Sequence, residues 1–199
     1  MAGTMPHAIF IETDVDGGVA AYAAELPGCA VFAATDDEAA GSMPHRVARF
    51  TAWLREQGEA SPTFVGDNWY EVERAAATPE RRAAFSLDEL PPSDVEFAAW
   101  LRWLELAREE LAEALDGAEE VDPAALGAIE RQDVAFAREL HGQAAPIDGD
   151  PIDRLFAARD ALTEALEGAG SSADGVRRML RLAVADDLRA AARLRGDEG

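Results

Sequence analysis

From Pro91-Pro92 onward the spacing of apolar residues is that of helices alone, whereas strand-like alternation is confined to the part before it, and that division sets what the chain can fold into. Before it, residues 7–35 alternate as strands do. "HAIFIETDV" runs into the turn signal Asp16-Gly17-Gly18, and "VAAYAAELPGCAVFAAT" breaks at Pro27-Gly28. Thr35, with Glu38 three residues on, offers a capping box at the head of a helix. Ala39, Met43, Val47, Phe50 and Leu54 then recur at spacings of three and four, which carries the helix to about Gln57. Pro44 lies inside it, lacks an N–H, and predicts a kink or a start delayed to near Ser42. A last strand, "NWYEVER", follows Gly66-Asp67. The predicted order is β-β-β-α-β, a small domain over residues 1–75, with residues 76–92 as a linker.

Beyond the two prolines the period becomes that of helices. The first opens with the capping box Ser93-Asp94-Val95-Glu96 and runs to Leu115. The next two open with Asp122-Pro123 and Asp150-Pro151, each an acidic cap followed by proline at the first helical position. The fourth is predicted to open near Ser171, with Asp174 three residues on. Each has a single apolar stripe, so residues 93–199 predict an all-α four-helix bundle and the whole chain an α+β protein.

The stripes are interrupted in a consistent way. They read Phe97, Leu101, Leu104, Arg108, Leu111, Leu115; Leu126, Ile129, Asp133, Phe136, Leu140; and Ile152, Leu155, Arg159, Leu162, Leu166. On the fourth helix Asp187 falls between Ala183 and Ala191. Two arginines and two aspartates thus occupy the inward faces, one per helix. An isolated buried charge costs several kcal/mol, whereas a paired set comes close to breaking even. Arg108, Asp133, Arg159 and Asp187 are therefore predicted to meet in one charge-balanced network. It either fixes helix register or lines a ligand pocket, and the absence of an activated group beside it favours register.

Charge and composition exclude several functions. Acidic residues number 39 against 18 basic ones, the formal net charge is −21, and every basic residue is arginine. The arginines are scattered, so the surface repels phosphate backbones and no nucleic-acid partner is expected. The start lacks the basic-then-apolar pattern of a signal peptide and no apolar run reaches membrane length, which predicts a cytoplasmic protein with no membrane contact. Cys29, the single cysteine, permits no internal disulfide and has no basic sequence neighbour to activate it. His7, His45 and His141 share no metal-ligand spacing, and neither a glycine-rich phosphate loop nor a nucleophile elbow is present, so no cofactor is expected. Trp100, Trp103 and Leu106 are read as packing on the first domain or on a neighbouring subunit.

The segment "YAAELPGCAVFAATDDEAA" resembles HicB-like domains, in which an aromatic strand, a Pro-Gly-Cys turn and a Thr-initiated helix occur at these offsets. The likeness covers about residues 7–75 and implies a partial ribonuclease-H-like fold without catalytic carboxylates. In toxin–antitoxin pairs such domains block a small ribonuclease. Here Ala33-Ala34 replaces the glycine usual before the capping threonine, and a helical half stands in place of the DNA-binding tail.

"DPIDRLFAARDALTEAL" and "VRRMLRLAVADDLRAAARL" resemble the third and fourth helices of DinB-like bundles. Active members hold a divalent metal through three histidines, and several are thiol-dependent transferases or isomerases. The likeness places two of those positions at Asp186 and Ala190 and the third near Ala128, and none is histidine here. It also makes Asp187 and Asp133 the retained acidic companions, so the implied metal site is lost while its polar support is kept. Together the resemblances imply a non-catalytic, two-domain binding or scaffold protein working through protein–protein contacts. The implied partner is a small toxin-like protein or a second copy forming a homodimer. The rival readings are an antitoxin-like inhibitor of a small basic ribonuclease and an enzyme with a repurposed DinB-like pocket.

Overall fold

The structure is a computed structural model that describes residues 7–62, 69–78, 81–141 and 149–197, residue 141 by its backbone only. The chain divides into two compact units, Met1–Leu90 and Pro91–Gly199. Together they hold a small mixed sheet and a set of helices, an α+β arrangement.

In the first unit, β1 (His7–Val15), β2 (Gly18–Ala23) and β3 (Ala30–Ala33) are successively antiparallel. β4 (Trp69–Ala76) lies parallel to β1 on the other side, giving the order β3-β2-β1-β4. Val15 pairs with Gly18, so Asp16 and Gly17 alone make the turn. Both have positive φ, 52° and 79°, as a tight hairpin requires. Gly18 is fixed by contact rather than by torsion: a Cβ there would stand 2.4 Å from the Ala33 carbonyl oxygen. The parallel return of β4 needs a crossover, and α1 (Asp36–Glu56) supplies it.

α1 excludes one of the two alternatives left by Pro44, the late start. It neither starts late nor breaks at Pro44, which it carries in its interior at the cost of one backbone bond. Thr35 caps it by accepting from the Glu38 N–H at 3.3 Å, while the Glu38 carboxylate accepts from the Ala34 N–H. Ala39, Met43, Val47, Phe50 and Leu54 are buried, covering the face of the sheet that holds Ile9, Ile11 and Ala21. The expected Gly66-Asp67 turn and Asn68 lie outside the described residues.

The stretch expected as a linker has a structural task. Phe85, fully buried, stacks on Phe10 at 4.7 Å between ring centroids, and a short 3-10 helix at Ser86–Glu89 follows. Asp88 closes that turn by accepting from the Phe85 N–H at 3.0 Å. Residues 81–90 thus cover the second face of the sheet, where Phe10, Glu12 and Tyr22 point, and the first unit reaches Leu90 rather than residue 75. This burial is why β1 and β2 are apolar on both faces instead of alternating cleanly.

The second unit contains α2 (Asp94–Asp116), α3 (Pro123–His141), α4 (Pro151–Ala169) and α5 (Val176–Arg195). Ser93 and Glu96 form a reciprocal capping box. Asp122 accepts from the Ala124 N–H at 2.9 Å, and Asp150 from those of Ile152 and Asp153 at 2.9 and 3.1 Å. The expected start of the fourth helix at Ser171 is corrected: α5 begins at Val176, after Gly175 with φ 75° and no side-chain cap of its own. Ser171 donates instead to Asp94 Oδ1 at 2.6 Å, tying the turn to the head of α2. Glu139 Oε1 lies 3.5 Å from where a Gly175 Cβ would stand, and the same carboxylate binds Arg178 at 2.7 Å.

α3 packs chiefly on α4, and α2 on α5. Leu111, Ala114 and Leu115 join Leu126, Leu155 and Ala191 in an apolar cluster to which all four helices contribute. α5 is buried on every side between Arg178 and Ala185.

Candidate functional site

Near the middle of these helices the apolar layers give way to charge. Arg159 of α4 has no exposed surface, and neither do Asp133 of α3 and Asp187 of α5. The Arg159 guanidinium lies between the two carboxylates, Nη1 3.4 Å from Asp133 Oδ2 and Nη2 against Asp187 Oδ1. Arg108 of α2 joins from the side. Its Nη2 donates to the Arg159 main-chain carbonyl, and its Nη1 stands 4.0 Å from the exposed Asp160 carboxylate. The structure thus brings Asp133, Arg159 and Asp187 together as a triad, while Arg108 bonds the Arg159 backbone and lies near Asp160 rather than pairing with either buried carboxylate. It also adds a polar pair that the stripes do not reveal, Gln132 Nε2 donating to Asp186 Oδ2 at 2.7 Å.

The helical period explains the convergence. Asp133, Arg159 and Asp187 sit where Leu or Ala would otherwise complete each stripe, so burial of the stripes carries the charges inward. That position is costly. Burial pushes the Asp133 carboxyl above its ordinary range, against the pull of Arg159 and then Arg108, and the nearby Asp186 adds to the rise. Burial likewise pushes the Arg159 and Arg108 guanidinium groups downward, with Asp133 the largest opposing influence on each. Neither oxygen of Asp133 accepts a hydrogen bond among the described residues, so this carboxylate is held by charge alone. The Asp133 carboxylate therefore already has a cation, the Arg159 guanidinium, beside it.

The positions tied to metal binding do not converge. Ala128 is exposed on α3, Asp186 is half-buried beneath Gln132, and Ala190 is half-buried against the apolar cluster. One helical turn beyond Ala128, Gln132 is the α3 side chain that meets Asp186. His7 lies against Trp69 at 4.7 Å, His45 is exposed, and the His141 side chain is outside the described residues. No group of three or more His, Cys, Asp or Glu among the described residues is arranged to hold a metal ion.

Cys29 is fully buried, and burial pushes its thiol up to about 12 despite the opposing charge of Arg46, a neighbour in space that sequence order hides. Trp100, Trp103 and Leu106 are buried, and Trp100 finds a partner within its own unit: the Arg177 guanidinium of α5 lies 4.6 Å above its ring.

A second buried ionic cluster lies in the first unit and escaped the sequence reading. Glu12 of β1, with no exposed surface, receives Arg82 Nε at 3.0 Å and Nη2 at 2.9 Å, the Tyr22 hydroxyl at 2.8 Å and the Ala83 N–H. Burial alone would raise this carboxyl. The bonds from Arg82 and its charge, with those from Ala83 and Tyr22, overcome that and hold it below its ordinary value. Glu12 anchors the covering segment to the sheet. Its only sequence signal is an acidic residue among Ile9, Phe10 and Ile11 on a strand that turns out to be buried on both faces.

No family model, curated protein or solved structure matches the chain. No helix among the described residues is long and apolar enough to cross a membrane.

Proposed function

We propose that this chain is a non-catalytic binding protein in which a HicB-like module is joined to a DinB-like bundle without metal ligands, and which works through protein–protein contacts. One observation carries the reading: Arg159 supplies from within the chain the cation that the buried Asp133 and Asp187 require. The helical unit then has carboxylates at its centre and, among the described residues, no group of three or more metal-ligating side chains around them. Glu12 in the first unit supports the same view, because Arg82, Tyr22 and Ala83 use its carboxylate for anchoring.

A second copy of the chain is the partner to test first, by sedimentation velocity over a range of protein and salt concentrations. With a charge of −21 on each copy, like-charge repulsion opposes association, so dimer formation should strengthen as salt screens it. A single monomeric species under every condition would remove the second copy from the account. Small-molecule binding abolished by Asp133→Asn with folding intact would replace the binding-protein reading with that of an enzyme pocket.

A further inference from the structure

We draw no further inference here: the strongest candidate, the cluster of buried polar atoms that Asp133, Arg159 and Asp187 form at the centre of the helical unit, belongs to the site already described.

Discussion

Replacing Arg159 alone should destabilise the helical unit, whereas replacing Arg159 together with both buried carboxylates should not. Arg159 Nη1 lies 3.4 Å from Asp133, which at an effective dielectric constant of about 20 corresponds to a gross attraction of about 5 kcal/mol. Asp187 contributes a comparable contact on the other side. Against this stands the desolvation of three groups with no exposed surface, several kcal/mol each. The upward push on Asp133 and the downward push on Arg159 agree that burial outweighs the attraction for both. Arg159→Met removes the attraction but leaves two buried carboxylates, and should destabilise the helical unit by roughly 3–5 kcal/mol. The combined variant Asp133→Leu, Arg159→Met, Asp187→Leu removes attraction and penalty together. It should be neutral or more stable by about 1–4 kcal/mol. Denaturant unfolding followed by hydrogen exchange of α2–α5 reads both variants in the unit concerned. Equal destabilisation by the single and combined variants would refute the reasoning, because it would mean that the ions contribute net stability.

Further expectations concern the first unit and the two titrating carboxyls. Glu12, held below its ordinary 4.5, contributes stability that is present above that pH and lost as the pH falls through the lower folded value. Glu12→Gln should therefore flatten the acid limb of the first unit's stability, read by hydrogen exchange against pH; an unchanged slope would remove the assigned cause. Asp133 carries the opposite sign. Its folded value lies above the ordinary 3.8, so the folded state binds the proton more tightly and this residue's contribution falls as the pH rises from there through the folded value, a trend Asp133→Asn should abolish. Gly18→Ala places a Cβ on the Ala33 carbonyl and should cost about 1–3 kcal/mol as β3 shifts, measured by thermal unfolding; a neutral result would mean that β3 yields freely. Cys29 should ignore an aromatic disulfide reagent in the folded protein and react at once in denaturant, whereas rapid native labelling would contradict its burial.

Legibility followed the range of the interactions. Asp133, Arg159 and Asp187 could be read because a 3.6-residue period is local: each charge is placed by its own helix, and only the pairing had to be inferred. The α2–α4 starts were legible for the same reason, since Ser93, Asp122 and Asp150 bond to amides within three residues. The start of α5 is not legible in the same way, because no side chain caps it and Ser171 bonds Asp94 instead. The Glu12 cluster was hidden by distance, with Arg82 lying 70 residues along the chain in a segment that lacks a regular period. Pro44 shows a local rule overridden, as the apolar face from Ala39 to Leu54 keeps α1 continuous through the missing bond.

An internal guanidinium, that of Arg159, occupies the buried carboxylates Asp133 and Asp187. The most direct test of this is calorimetric titration of chelator-stripped protein with Zn²⁺, Ni²⁺, Mn²⁺ and Mg²⁺, with Asp133→Asn in parallel and metal content measured as purified. The account predicts no stoichiometric binding and no difference between the two proteins. Tight one-to-one binding that Asp133→Asn abolishes would contradict it and make the buried cluster a metal centre.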